Sequence, residues 1–106
     1  MIIVTGLGRD AKKLALAREL GADHTIDVEA EDARARVQEL TGGRGADVVC
    51  DPVGGEALGQ SLRCMAPEGR LLVIGFAAGS IPAIEANRLL LRIVEGSPSD
   101  LKSLWA

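Results

Sequence analysis

Four short apolar runs, separated by segments with helical periodicity, constrain the fold of this 106-residue chain more than any other feature. The runs lie at residues 2–5, 24–27, 46–50 and 71–74, and the first and last are almost entirely aliphatic. Continuous apolar runs are typical of parallel strands that helices cover on both faces. The alternation therefore predicts an α/β fold: a doubly wound parallel sheet of about four strands with helices on both faces.

Three helices are predicted in the intervals, because apolar residues recur there every three or four positions. These residues are Leu14, Ala17 and Leu20 in the first helix, Ala33, Val37 and Leu40 in the second, and Leu58, Leu62 and Met65 in the third. Glycines at 21 and at 42–43 are suited to end the first two helices. The last third is less regular, with a short helix expected near 89–91, an edge strand at 93–94 and a final turn.

Composition excludes several classes of protein. Twelve basic and 15 acidic residues give a net charge of −3, which argues against a nucleic-acid partner. No run is long enough to span a membrane, and the first residues do not resemble a secretion signal. Two cysteines are too few for a disulfide scaffold, and we expect Cys50 in the core. The sequence thus predicts a cytoplasmic protein with one domain over residues 1–106.

The turn after the first strand is the first candidate binding site, because open parallel sheets bind ligands beyond the carboxyl ends of their strands. Two glycines and three cations stand at the start of the following helix, where backbone N–H groups attract anions. The residues are Thr5, Gly6, Gly8, Arg9, Lys12 and Lys13. The pattern is not a full dinucleotide fingerprint, since Ala11 replaces its third glycine. The alternative is an ordinary turn followed by a solvated helix face.

Two further segments follow the third and fourth strands. Asp51 places a carboxylate at a strand end and either contacts a ligand or caps the next helix. Gly75, Phe76 and Ala77 are small or flat enough to lie against a ring, or they form a flexible connection. No Ser/His/Asp set or carboxylate pair indicates nucleophilic or acid–base catalysis.

Several stretches, in this order, resemble one known family. They are KLALARELGADH at 13–24, LTGGRGADVV at 40–49, DPVGG at 51–55 and SLRCMAPEGRLLVIGF at 61–76. Together they resemble the cofactor domain of medium-chain dehydrogenase/reductases of the zinc-binding dehydrogenase type, in the quinone oxidoreductase branch. The similarity extends over roughly residues 2 to 92, with several motifs matching in register.

The resemblance implies reduction of quinones or enones by hydride transfer from NADPH. It places the adenosine 2′-phosphate of NADP(H) at residues 5–9 with Lys12 or Lys13. It places the adenosine and ribose beside Asp51 and Val53, and the nicotinamide near Gly75, Phe76 and Ala77. Val28 stands where the family often has a tyrosine near the cofactor. No zinc is expected, and no residue of this sequence is assigned to catalysis.

The resemblance also implies missing parts. A full family member has a separate catalytic domain, and a glycine-rich pyrophosphate loop that would precede Met1. We therefore expect a partial NADP(H)-binding domain that is inactive alone. The family strand order is 3-2-1-4-5-6. Without its first strand, we expect the sheet to close to the order 2-1-3-4, or a homodimer or companion domain to supply the pairing.

A different class of function also fits the sequence. The same fold can serve as a non-catalytic oligomerisation or protein-interaction module. Leu101, Leu104 and Trp105 lie on one side of the predicted final turn and suit a partner surface, since aromatic residues often dominate interfaces. The alternative for Trp105 is packing onto its own sheet.

Overall fold

A computed structural model of the chain describes residues 1–75, 77 and 79. Strands and helices alternate along it: β1 (Ile3–Gly6), α1 (Ala11–Glu19), β2 (His24–Asp27), α2 (Ala33–Leu40), β3 (Ala46–Asp51), α3 (Glu56–Cys64) and β4 (Met65–Val73). A single 3-10 turn, Gly8–Asp10, leads into α1. The alternation confirms the predicted α/β fold, and all four predicted strands are present.

Local chemistry explains where the helices begin and end. The Asp32 side chain accepts a hydrogen bond from the Ala35 N–H at 3.3 Å and so caps the start of α2. Thr41 closes the same helix, because its hydroxyl donates to the Val37 carbonyl at 2.7 Å. Gly21 follows α1 with a φ of 114°, a left-handed conformation that few other residues adopt at low cost.

The strands form two separate parallel pairs, so the predicted strand order 2-1-3-4 is wrong for the described residues. β1 pairs with β2 in the register Ile3 to His24 through Gly6 to Asp27. β3 pairs with β4, with a register shift between Ala46 and Val48. Among residues 1–75, 77 and 79, neither β1 nor β3 pairs along its other edge.

One buried cluster connects the two strand pairs. Val37 on α2 packs there with Ile26 of β2 and Cys64 of α3, and Ile3 of β1 and Ala46 of β3 pack against the cluster. Val48 on β3 is 54% exposed. β3 is thus partly open to water, whereas the closure prediction assumed that unpaired backbone groups between β1 and β3 would be buried.

The core lies mainly on the α3 side of the molecule. α3 buries Leu58, Leu62 and Cys64, whereas α1 buries no residue. The α2 face predicted from Val37 is confirmed, but Leu20 after α1 is 80% exposed. Cys50 is exposed, which corrects its predicted place in the core. It lies on β3, whose edge away from β4 has no strand partner among the described residues.

Several predicted features lie outside the described residues. They are Phe76, the helix near 89–91, the strand at 93–94 and the turn with Leu101, Leu104 and Trp105. None of the helices in the described part of the chain is long and apolar enough to cross a lipid bilayer.

Candidate functional site

The turn between β1 and α1 lies at the carboxyl end of the first strand pair, as predicted. Gly6 allows a close approach here, because a Cβ at this position would lie 3.2 Å from Leu14 Cδ2 and 3.3 Å from Asp10 Cβ. The Asp10 N–H donates to the Leu7 carbonyl at 2.9 Å. In return, the Leu7 N–H donates to Asp10 Oδ2 at 3.0 Å. These two bonds hold the turn in one conformation.

Carboxylates from the end of β2 reach the same turn. The Gly8 N–H donates to Glu29 Oε1 at 3.0 Å, although the two residues are 21 positions apart. Asp27 Oδ1 accepts the Glu29 N–H at 2.9 Å, which orders the segment that carries Glu29. Asp27 Oδ2 lies 3.4 Å from the position that a Cβ on Gly8 would occupy. Two of the turn's N–H groups therefore already have carboxylate partners.

The cations of the turn are exposed. Lys13 Nζ lies 3.5 Å from Asp10 Oδ1, whereas Arg9 and Lys12 make no hydrogen bond or ion pair within the described residues. The hydrogen bond from the Leu7 N–H lowers the pKa of Asp10 below its ordinary value of 3.8, against an opposing effect of desolvation. The charges of Lys13 and Arg9 lower this pKa further. Asp10 is thus held in its charged form beside the predicted anion site.

An open cavity of about 340 Å³ adjoins the turn. It is bounded by the turn, α1 and β2. Arg18 spans part of it, donating from Nε to Thr25 Oγ1 at 2.9 Å. Its lining is Leu7, Gly8, Ala11, Leu14, Ala15, Arg18, Thr25 and Asp27. The cavity combines an apolar helix face with polar groups at one end, as small-ligand sites commonly do.

Asp51 ends β3 and is only 4% exposed. Its Oδ1 accepts the Val53 N–H at 2.8 Å and the Gly54 N–H at 3.0 Å. Oδ2 is buried and has no hydrogen-bond partner. Since α3 begins at Glu56, the carboxylate stabilises the turn before the helix and does not cap the helix itself.

The end of β4 lies against this same turn. The Ile74 N–H donates to the Asp51 carbonyl at 3.0 Å, and the Ala77 N–H donates to the Pro52 carbonyl at 3.1 Å. A Cβ on Gly75 would lie 3.1 Å from the Pro52 oxygen, so glycine permits the close approach. The structure therefore brings Asp51, Val53, Gly75 and Ala77 to one edge.

The predicted site residues thus form two groups, one at each strand pair. Thr5, Gly6, Gly8, Arg9, Lys12 and Lys13 surround the first turn. No hydrogen bond or ion pair among the described residues joins them to the second group. Sequence reasoning did not single out Asp10, Asp27 or Glu29, although 27–31 follows a predicted strand. Within 1–75, 77 and 79, no three His, Cys, Asp or Glu side chains are placed to hold a metal ion.

Comparison with known proteins identifies the family. The family model described as "Zinc-binding dehydrogenase" matches residues 2–100. The chain belongs to the zinc-binding dehydrogenase family. The predicted resemblance to medium-chain dehydrogenases of quinone oxidoreductase type is confirmed. One relative, a quinone oxidoreductase-like protein 2 homolog of Nematostella vectensis, is 44% identical over 76% of this chain and 22% of its own length.

Solved structures support the same conclusion. A quinone oxidoreductase of Pseudomonas syringae matches with a TM-score of 0.77 and 37% identity, over 85% of this chain and 27% of its own. Escherichia coli quinone oxidoreductase, complexed with NADPH, matches with a TM-score of 0.75 and 30% identity, over the same 85% and 27%. This zinc-binding dehydrogenase chain spans 22–26% of the length of three curated relatives that it matches.

Proposed function

We propose that this chain is the part of a quinone oxidoreductase-type enzyme that binds the adenosine end of a nicotinamide dinucleotide. The observation that carries the proposal is the cavity beside the β1–α1 turn, at the carboxyl ends of two parallel strands. Ligands of open α/β sheets bind at this edge. Membership of the zinc-binding dehydrogenase family supports a dinucleotide as the ligand.

In this proposal, the nicotinamide end of the cofactor lies at the carboxyl end of the β3–β4 pair. Gly75 and Ala77 pack on Pro52 and leave a surface of small residues beside Asp51 and Val53. The bound cofactor supplies the hydride that reduces a quinone or an enone. The chain's own residues bind and orient the cofactor. The resemblance favours NADP(H), and the similar E. coli enzyme was solved with NADPH.

We further propose that residues 1–106 act as one partial domain and have no oxidoreductase activity alone. The share of its relatives that the chain covers supports this proposal, 22% of the Nematostella vectensis protein and 27% of the Pseudomonas syringae enzyme. A companion domain would supply the substrate side and a strand for the edges of β1 and β3 that no described strand covers. The proposed location of the assembled enzyme is the cytoplasm.

Titration of the chain with NADPH, followed by calorimetry, tests cofactor binding. We expect weak binding that an Arg9→Ala/Lys12→Ala variant weakens further, because these two exposed cations lie at the turn and attract the negatively charged phosphates of the cofactor. The matched control is Arg34→Ala, which removes an exposed cation from α2 and should leave binding unchanged. If neither NADPH nor NADH binds at millimolar concentration, the proposed function is wrong.

A second function is favoured by one observation, the edges of β1 and β3 that no strand within residues 1–75, 77 and 79 covers. Strand edges recruit further strands from other chains. A non-catalytic interaction module built on this fold would therefore self-associate or bind a partner there. Light scattering, together with the NADPH titration, distinguishes the two functions. A monomer that binds dinucleotide supports the first, and an oligomer that binds none supports the second.

A further inference from the structure

Within the described residues, the β3–β4 pair leaves one of its faces open to water. Alternate positions along a strand point to the same face. Val48 and Cys50 of β3 therefore share a face with their register partners on β4, which are Arg70 and Leu72. Val48 is 54% exposed, Leu72 is 47% exposed, and Ile74, two positions further on, is 65% exposed. We call this surface, made of Val48, Cys50, Arg70, Leu72 and Ile74, the open face.

The opposite face of the pair is covered. Val49 and Asp51 point to that side and are half-buried and buried, and α3 contacts both strands. Parallel strands are found almost only where both of their faces are covered. We propose that residues 83–95 of the same chain form an amphipathic helix that covers the open face. This inference is independent of the proposed cofactor site.

The sequence of this segment has the pattern of such a helix, although the segment lies outside the described residues. Its charged residues recur every three or four positions, at Glu85, Arg88, Arg92 and Glu95. This spacing places them on one side of a helix. The opposite side then carries small and apolar residues, which are Ala86, Leu90, Ile93 and Val94. The continuous spacing favours one helix over the short helix and edge strand predicted for 89–94.

The connection after β4 brings the segment to the open face. The Ala77 N–H donates to the Pro52 carbonyl at 3.1 Å, so the chain leaves β4 at the carboxyl end of the pair. When extended, residues 78–82 span up to about 17 Å. A helix over 83–95 is about 20 Å long, whereas the row from Arg70 to Ile74 measures about 13 Å. The segment can therefore turn back and lie along the whole open face.

Charge and tethering favour this segment over a partner from solution. A helix that returns from the end of β4 brings Glu95 towards Arg70, which is exposed at the other end of the open face. Opposite charges there stabilise this direction of the helix. A second copy of the chain could also bury the open face. A tethered segment, however, has an effective concentration in the millimolar range, far above that of a second copy in dilute solution.

The open face contains its own chemical probe, because Cys50 is exposed among the described residues and Cys64 is buried. The full chain is treated with iodoacetamide, and mass spectrometry follows labelling at Cys50. The reference is the same chain unfolded in urea, and a Cys50→Ser variant identifies any labelling at Cys64. We expect Cys50 in the folded chain to react about tenfold more slowly than in the reference, because the helix must open to admit the reagent.

Two matched variants test which side of the segment covers Cys50. Leu90→Gln/Ile93→Gln removes apolar contacts and should restore most of the labelling rate of the unfolded chain. The control Arg88→Gln/Arg92→Gln alters the charged side of the same segment and should leave labelling slow. Circular dichroism establishes that each variant is folded. If the first variant is not folded, the milder Leu90→Ala takes its place.

Three outcomes would overturn the inference. The first is labelling of the unmodified folded chain at the unfolded rate. The second is a labelling rate that both double variants raise equally, or that neither changes. The third is protection of Cys50 that is lost on dilution, together with a dimer in light scattering, which would assign the open face to a second copy. None of these measurements uses NADPH, so the proposed function is tested separately.

Discussion

The two strand pairs hold carboxylates at their carboxyl ends in opposite ways. At β1–β2, Asp10, Asp27 and Glu29 bond to backbone N–H groups near the surface of an open cavity. At β3–β4, Asp51 is buried and serves two N–H groups of its own turn. A surface carboxylate can change partners at little cost, whereas a buried one is held by the desolvation penalty of its partners. The carboxylates of the first pair are therefore free to exchange partners, whereas Asp51 fixes the backbone of its own turn.

The helices show the same contrast. α3 is anchored through three buried side chains, while α1 covers β1 and β2 without burying any residue. Burial of apolar surface is the main stabilising contribution in a domain of this size. Stability therefore resides mainly at the β3–β4 pair, and the proposed binding cavity lies at the less strongly packed β1–β2 pair.

Truncating a leucine in each helix gives the largest expected difference. Leu62 on α3 is 3% exposed, and Leu16 on α1 is 52% exposed. We expect Leu62→Ala to lower the free energy of unfolding by about 2–5 kcal/mol, through lost burial and a cavity. Leu16→Ala should lower it by about 0.5 kcal/mol or less. Urea denaturation measures both, and equal losses would contradict the contrast between the helices.

Two glycines with positive φ give the next largest effect. A Cβ on Gly45 would lie 2.8 Å from the backbone nitrogen of Ala66, whereas one on Gly21 would meet nothing within 4 Å. Gly45→Ala combines a left-handed backbone with a backbone clash, and we expect a loss of about 3 kcal/mol. Gly21→Ala carries only the backbone cost, about 1 kcal/mol. If both variants lower the midpoint of thermal denaturation by the same amount, the contact between position 45 and β4 yields to the added Cβ, which contradicts the expected clash.

Removing one carboxylate at the carboxyl end of each strand pair compares the stabilisation from buried hydrogen bonds with that from an exposed one. Asp51→Ala leaves the Val53 and Gly54 N–H groups without their acceptor, and we expect it to lower the free energy of unfolding by about 2 kcal/mol. Asp27→Ala frees the exposed Glu29 N–H, which water can satisfy, so the loss should be about 0.5 kcal/mol. Chemical denaturation of the two variants measures both losses in the free energy of unfolding. A larger loss for Asp27→Ala would reverse the assignment of the two edges.

The smallest expected effect is the pH dependence due to Asp10. Because its pKa is lowered in the folded state, its contribution is present above the unfolded value near 3.8 and is lost as pH falls through the lower folded value. Asp10→Asn should therefore flatten the acid side of the stability profile slightly, as measured by denaturation midpoints from neutral pH down through that range. Glu19→Gln serves as the control. An unchanged profile for Asp10→Asn would contradict the role of the Leu7 hydrogen bond.

Sequence reasoning identified the secondary structure of the described chain with small errors. β2 begins and ends where the sequence predicts, and Val37, Leu58 and Leu62 of the predicted helix faces are buried. Met65, predicted on the third helix, instead begins β4. Leu20 fits the helical period but lies just beyond α1 and is exposed, since periodicity does not show whether a neighbour covers a helix face. Cys50 is exposed for a related reason, because an apolar run does not show which of its side chains a neighbouring element covers.

By itself, the sequence determined the α/β alternation, the family and the two candidate edges, because these depend on local periodicity and on motifs that are contiguous along the chain. Only the tertiary structure decided that the strands form two pairs. It also decided that carboxylates occupy the donors of the β1–α1 turn. Both depend on contacts between distant positions, such as Gly8 with Glu29 or Val37 with Cys64, and packing geometry determines those contacts. The predicted cations are present at the turn, but it was their neighbours from β2 that set its electrostatic character.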